Sequence, residues 1–135
     1  MEKTEQLKQF FLRDKYVALS GIEIVSTSDE HSLVRAEISD MHLNAAGSVQ
    51  GGMIFTLADF AFAVLANRIH PATVTSSSSI TYLAPCRDTK YVTAESREVS
   101  RYRHNCVHEV IIRDDKGTIV AISQMNGFIK EQNIK

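Results

Sequence analysis

The longest run of apolar side chains in this sequence extends from residue 51 to residue 66. After the glycines at positions 51 and 52, twelve of the fourteen side chains are apolar, and only Thr56 and Asp59 interrupt them. A segment that is apolar on nearly all sides predicts a helix that is buried on most of its faces. Pro71 sets its end near residues 67–70, because proline cannot continue a helix. We therefore expect one long central helix.

Outside this helix, the alternation of apolar and polar positions is mostly that of strands. Residues 22–25 begin one strand, and residues 32–38 form a half-buried one. Residues 4–19 favour a short amphipathic helix. Four longer β-forming ranges follow the central helix, separated by turn-prone residues, at 73–84, 89–100, 103–114 and 118–129. Because helix and strands are segregated rather than alternating, we predict an α+β fold in which an antiparallel sheet curls around the helix.

Composition and charge limit the classes of protein to which this chain can belong. The 135 residues, 44% of them apolar, fit a single domain over residues 1–135 with a core of its own. A net charge of −1 gives no electrostatic case for nucleic acid or an anionic membrane as partner. No stretch approaches the roughly 20 apolar residues that span a bilayer, and the first residues lack the order of a signal peptide. We expect a cytoplasmic protein.

The cysteines and histidines do not predict a metal site. Cys86 and Cys106 are the two cysteines, and their spacing matches no disulfide framework or zinc motif. His104, Cys106 and His108 alternate on one face of a predicted strand. Two histidines placed in this way lie roughly 13 Å apart, too far to share a zinc ion with bonds of about 2 Å. We expect neither a metal nor another cofactor.

Asp59 is the candidate for chemistry in the central helix. A carboxylate in apolar surroundings is unfavourable unless another group pairs with it or a reaction uses it. One interpretation is a capping aspartate or a partner in helix–helix packing, and the other is a carboxylate kept for catalysis. Gly51 and Gly52 stand at the helix start, where unpaired N–H groups carry a partial positive charge and no side chain blocks the approach of a carbonyl oxygen.

The segment that leads into the helix carries a longer ordered motif. Residues 42–59 have the sequence HLNAAGSVQGGMIFTLAD, with an Asn, a Gly, a Gly-Gly pair and an acid at fixed offsets. This motif closely resembles the signature of hotdog-fold acyl-CoA thioesterases, in the phenylacetate-degradation branch of the 4-hydroxybenzoyl-CoA thioesterase family. The likeness continues through residues 80–85 and 115–121. It implies a curved antiparallel sheet wrapped around one long helix, paired into dimers and often tetramers.

The resemblance also implies roles for single residues. Asp59 matches the catalytic acid of the family, and Gly51 matches the glycine whose backbone N–H polarises the thioester carbonyl. Asn44 matches a residue that positions substrate or water. Thr75 falls near the hydroxyl that the family carries on a strand, and Ser77 shares its predicted face at the strand period of two.

One position departs from the family pattern. Many relatives carry His immediately before the Gly-Gly pair, whereas this chain has Gln50. Glutamine can hydrogen-bond a carbonyl oxygen or a water, but it cannot transfer a proton as histidine does. Two interpretations therefore stand: an enzyme that hydrolyses acyl-CoA to a carboxylic acid and coenzyme A, with Gln50 assisting, or a non-catalytic acyl-CoA-binding protein.

The spacing of the motif predicts an oligomer. Eight residues of helix separate Gly51 from Asp59 by roughly 12 Å along the axis, but both must lie about 3 Å from one reacting centre. Two antiparallel helices satisfy this requirement when Gly51 of one subunit faces the acid of the other. We therefore expect a homodimer, or a dimer of dimers, with sites at the subunit interface.

Arginines near a predicted turn are candidates for the nucleotide end of coenzyme A. Arg101 and Arg103 lie beside that turn, and arginine binds phosphate well through two parallel hydrogen bonds. The alternative is a solvated charged surface. Together with Ser77, these arginines form the predicted coenzyme A contacts.

Overall fold

The fold consists of one long helix, two short helices and six strands. The computed structural model describes residues 2–130. The short helices are α1 (Lys3–Phe11) and α2 (Lys15–Ser20), and the long helix is α3 (Gly51–Ile69). The strands are β1 (Ile22–Thr27), β2 (Ser32–Glu37), β3 (Thr73–Tyr82), β4 (Tyr91–Tyr102), β5 (Asn105–Asp114) and β6 (Ile119–Ile129).

All six strands belong to one antiparallel sheet in the order β1-β2-β4-β5-β6-β3. Helix α3 packs across the sheet and contacts every strand. Fully buried side chains of α3, among them Leu57 and Phe62, belong to the same core cluster as Val34, Val110 and Met125 of the sheet. The predicted α+β arrangement, with a sheet around one long helix, is confirmed.

Helix α3 is buried on most of its faces but leaves one stripe accessible. Ten of its nineteen residues are buried. Gly52, Phe55, Thr56, Asp59 and Ala63, which follow each other at helical spacing, are not. By length and composition alone α3 could cross a membrane, which the sequence analysis did not expect of any segment, but half of it is buried inside the fold. A core helix has this composition for the same reason.

The N-terminal segment differs from the single helix predicted over residues 4–19. It forms two helices: α1 ends at Phe11 with Leu12 as its C-cap, and Asp14 caps α2, with its carboxylate accepting from the Val17 N–H at 3.1 Å. Aspartate stabilises an N-cap more than a helix interior. Gly21 then closes α2 in the left-handed conformation, with φ of 74°, which glycine adopts without strain.

The predicted strands are confirmed, with shifts at their ends. At the β4–β5 turn both strand ends shift by two residues, because β4 continues to Tyr102 and the turn falls on residues 103 and 104. Arg103 has φ of 55° there, the positive value that a two-residue hairpin turn requires. Arg101 is therefore a strand residue, and Arg103 is the turn residue.

A bulge in β3 corrects the predicted face of Ser77. Thr75 pairs with Gly127 of β6, while Ser77 pairs with Asn126, so that Ser76 is an extra residue. Cross-strand partners share a face, and the Asn126 amide donates to the Ser77 hydroxyl at 2.8 Å. Thr75 points toward α3, and Ser77 points to the outer face. The period of two that placed them together is interrupted between them.

Candidate active site

Asp59 and Thr75 form a hydrogen-bonded pair on the accessible stripe of α3. The Thr75 hydroxyl donates to Asp59 Oδ1 at 2.7 Å, so that β3 holds one carboxylate oxygen in place. Asp59 is half-buried rather than enclosed, because the sheet covers the opposite side of the helix. The structure thus brings together two of the residues predicted for catalysis.

The start of α3 presents one backbone donor. Gln50 is the N-cap, and its side-chain oxygen accepts from the Gly52 N–H at 2.5 Å. Within the part of the chain that the structure describes, no group accepts from the Gly51 N–H. The Gln50 side chain therefore accepts from the N–H group of Gly52. The N–H group of Gly51, which carries a partial positive charge, stays available to an incoming oxygen.

Tyr82 lies against Gly51, a contact that the sequence analysis did not predict. The Tyr82 hydroxyl donates to the Gly51 carbonyl oxygen at 2.8 Å, and a Cβ at Gly51 would lie 3.2 Å from the tyrosine ring. Because Tyr82 faces the same side of β3 as Ile80, which packs on the core, this contact fixes the end of β3 beside the helix start. The sequence contains only one signal for this contact, an aromatic residue near the end of a predicted strand.

Asn44 shapes the loop before α3. Its side-chain oxygen accepts from the N–H groups of Ala46 and Ser48 at 2.9 and 3.0 Å, a turn that asparagine commonly stabilises. His42 is buried beneath this loop, where one ring nitrogen lies 2.8 Å from the Ser20 carbonyl oxygen. The Asn44 carboxamide oxygen is used within the loop, and any direct role of Asn44 toward substrate or water stays a prediction.

A cleft runs along the stripe beside Asp59. It has a volume of about 240 Å³ and lies between α2 and α3, with Tyr16 and Val17 on one side and Phe55, Thr56 and Phe60 on the other. Aromatic and aliphatic side chains share its lining with two carboxylates, those of Asp14 and Asp59. Polar groups placed among apolar ones are typical of a small-molecule site.

The predicted coenzyme A arginines lie away from this cleft, at the β4–β5 turn. Arg101 donates to the Arg103 carbonyl oxygen at 3.0 Å, and both arginines line a cavity of about 350 Å³ with His104 and Lys130. The surface is basic, and its role toward coenzyme A stays a prediction, as does that of Ser77.

A second group of chemically active side chains lies at the C-terminal end of α3. The His70 and His108 imidazoles both contact Glu98, with their Nε2 atoms 2.5 and 3.1 Å from the same carboxylate oxygen. Cys106 completes the group. Burial lowers the pKa of His108 against the opposing effect of Glu98, and burial raises the pKa of the Cys106 thiol. The sequence analysis missed this group because it compared histidines on one strand only.

Comparison with known proteins agrees with this geometry. Residues 46–121 match the Thioesterase superfamily. The acyl-coenzyme A thioesterase PaaI of Escherichia coli is 32% identical over 104 residues, which are 76% of this chain and 73% of that protein. The solved E. coli PaaI protein superimposes with a TM-score of 0.88 at 25% identity, over 96% of this chain and 94% of that one. A hypothetical thioesterase of Streptococcus pneumoniae, solved with coenzyme A, superimposes with a TM-score of 0.83 at 28% identity, over 92% of this chain and 97% of that one.

A helix surrounded by an antiparallel sheet, with an acid on its open stripe and a glycine at its start, defines a hotdog-fold thioester hydrolase. The chain belongs to the thioesterase superfamily. Within it, the chain is of the phenylacetate-degradation type.

Proposed function

We propose that this protein hydrolyses acyl-CoA to a carboxylic acid and coenzyme A at composite sites between two subunits. The observation that carries the proposal is that the acid and the hydrogen-bond donor lie at different positions along α3. An oriented carboxylate, Asp59, lies in the cleft between α2 and α3, and a single available donor, the Gly51 N–H, lies about 12 Å away along the helix. Neither half suffices alone for acyl transfer.

The two halves supply complementary steps. The thioester carbonyl oxygen accepts from the Gly51 N–H, which stabilises the negative charge that develops when the carbonyl carbon is attacked. The Asp59 carboxylate either attacks this carbon itself or removes a proton from an attacking water. The tetrahedral intermediate then expels coenzyme A as a thiolate, which takes up a proton. When Asp59 itself attacks, this step leaves an acyl–Asp59 anhydride, which a water hydrolyses to the carboxylic acid and the free Asp59 carboxylate. Both routes require the ionised carboxylate that Thr75 orients.

Solved relatives support the pairing of acid and hydroxyl. The S. pneumoniae thioesterase has been solved as two variants in which an aspartate and a threonine, at its positions 52 and 68, are replaced by alanine. Those positions are 68 − 52 = 16 residues apart, the separation of Asp59 and Thr75 in this chain. Structures of relatives with coenzyme A or acetyl-CoA support an acyl-CoA substrate.

The exposed edge of the sheet supports the dimer. β3 is an edge strand of ten residues, and after Thr73 nearly all of its side chains are exposed on both faces. A long edge strand with unpaired backbone groups favours pairing with a second strand. Pairing β3 with its copy would extend the sheet and cover the open stripe of α3 in each subunit.

The same pairing would join the two halves of the site. In each chain, Thr75 holds Asp59 and Tyr82 holds Gly51. The midpoint between Thr75 and Tyr82 falls between Ser78 and Ser79. An antiparallel pairing about a two-fold axis close to this midpoint sets the Thr75 end of one strand opposite the Tyr82 end of the other. Each Gly51 would then face Asp59 of the partner subunit.

A thiol-release assay over a panel of aryl, short-chain and long-chain acyl-CoA substrates tests the function. We expect free coenzyme A in stoichiometric yield with the carboxylic acid, and a preference for acyl groups whose size fits the cleft beside Asp59. Binding of the whole panel without thiol release would instead support an acyl-CoA-binding protein, the interpretation that Gln50 left open.

Replacing Arg101 and Arg103 by alanine should raise KM for acyl-CoA with little change in kcat. Arginine contacts to phosphate contribute binding rather than chemistry, so that the loss of two should raise KM about tenfold or more. The measurement compares acyl-CoA with the matching acyl-pantetheine, which lacks the nucleotide. Arg87→Ala, at an exposed position on another turn, is the control. An equal rise in KM for acyl-pantetheine would contradict a nucleotide site here.

A further inference from the structure

We propose that His70, Glu98, Cys106 and His108 bind one zinc ion, which joins the C-terminal end of α3 to the sheet. His70 follows α3 directly, Glu98 belongs to β4, and Cys106 and His108 belong to β5. The four side chains thus come from three elements that the fold brings together. An ion held by all of them would be a structural site, distinct from the thioesterase site.

The distances fit a tetrahedral ion. One ligand atom from each of the four side chains lies within 4.8 Å of all the others. Bonds of about 2.0–2.3 Å place the ligand atoms of tetrahedral zinc roughly 3.3–3.8 Å apart. The His70–Glu98 and His108–Glu98 contacts, at 2.5 and 3.1 Å, would open slightly, and the more distant pairs would close by about 1 Å. Rotations of side chains provide shifts of this size.

The donor set selects the class of metal. Two imidazole nitrogens, a sulfur and a carboxylate oxygen suit Zn²⁺ and chemically similar ions, whereas Mg²⁺ and Ca²⁺ require oxygen ligands. Zinc binding would release the Cys106 proton, because a coordinating thiol is deprotonated. The thiolate and the Glu98 carboxylate then balance the two positive charges of the ion. A site without net charge is compatible with buried surroundings.

The surroundings of the four side chains are those of an organised metal-binding site. His108 is fully buried, and its Nδ1 lies 3.0 Å from the Ser96 hydroxyl, the supporting contact that metal-bound histidines make with their other nitrogen. Phe62 packs edge-on against the His108 ring at 4.8 Å. The His70 and Glu98 side chains are 10% and 23% exposed, so that an ion can reach the cluster from solvent.

The position of the cluster separates it from hydrolysis. Eleven helical residues place His70 roughly 16 Å along the axis from Asp59. The ion would therefore stabilise the packing of α3 on β4 and β5 without contacting the reacting atoms. We expect zinc to raise Tm and to leave kcat unchanged, so that this inference and the proposed function fail independently.

Cobalt(II) is the spectroscopic probe. Protein stripped with a chelator and titrated with Co²⁺ should bind one ion per chain, with the visible bands of tetrahedral cobalt and a sulfur-to-cobalt charge-transfer band. The chain has two cysteines, which makes the assignment decisive: Cys106→Ser should lose the charge-transfer band, and Cys86→Ser should keep it. Zinc should displace the cobalt at a ratio of one to one.

The remaining ligands are tested by affinity. His70→Gln, at the accessible rim, should weaken zinc binding tenfold or more, whereas His31→Gln, on the β1–β2 connection, should not change it. Far-UV circular dichroism of each variant confirms its fold. Wild-type protein that shows no sulfur-to-cobalt band, or a band that persists in Cys106→Ser, would overturn the proposal and leave a hydrogen-bonded group around Glu98.

Discussion

Asp59→Asn should lower acyl-CoA turnover by about 10²-fold or more while acyl-CoA still binds. The amide has nearly the shape of the carboxylate and can still accept from the Thr75 hydroxyl, which now lies 2.7 Å from Asp59 Oδ1. It is neither a useful nucleophile nor a base. The loss should therefore fall on kcat, because the interactions that bind the acyl group and coenzyme A remain.

The measurement combines steady-state thiol release with binding of an acyl-CoA thioether that cannot be hydrolysed. Asp88→Asn is the matched control, since Asp88 is exposed on a turn with φ of 50°, which asparagine also tolerates. If Asp59→Asn retained half of the wild-type turnover, Asp59 would be a structural residue, as the packing interpretation of the sequence holds.

The sequence was sufficient to predict the architecture because the signals of α3 and of the strands are local. Helix α3 begins at a glycine pair and ends before Pro71, and its composition alone indicates that it is enclosed. Strands β4, β5 and β6 alternate in burial between neighbouring residues over much of their length. Periodicity of this kind depends on the residues of one segment and not on their partners.

Features that depend on partners were not predictable in the same way. The bulge at Ser76 exists because β3 pairs with β6, and it reverses the face of Ser77. Asp14 could have continued a helix but instead caps α2. His70 and Glu98, from different elements, reach Cys106 and His108 only through the fold. A search along one strand cannot detect a cluster of that origin.

The candidate site was predictable in part for the same reason. The resemblance to the family indicated Asp59 and Thr75 as separate candidates, and the structure places the two side chains in contact. The motif did not reveal why Gln50 can stand where relatives carry His. As the N-cap it accepts from the Gly52 N–H, a role that requires only an oxygen acceptor. Gln50 thus acts on the helix start that presents the Gly51 donor.

Complementation between two inactive variants should show that each site draws on two subunits. Gly51→Val places side-chain atoms against Tyr82, whose ring lies 3.2 Å from a Cβ at Gly51, and blocks the approach of the carbonyl oxygen. Asp59→Asn removes the acid. Each variant alone should be inactive. In a mixed dimer, however, one site combines the intact Gly51 of one subunit with the intact Asp59 of the other.

Random exchange of subunits makes about half of the dimers mixed, each with one intact site of two, so that activity should recover to about a quarter of the wild-type value. The measurement is thiol release after subunit exchange, with exchange followed by mass spectrometry of isotopically labelled chains. Gly51→Ala, which adds only the Cβ, provides a milder partner if the valine variant has a lowered Tm. A site within one chain would give no recovery, because each chain of the mixed dimer would carry one lesion. Absence of activity with exchange confirmed and both variants folded would therefore assign Gly51 and Asp59 to the same subunit's site and contradict the composite arrangement.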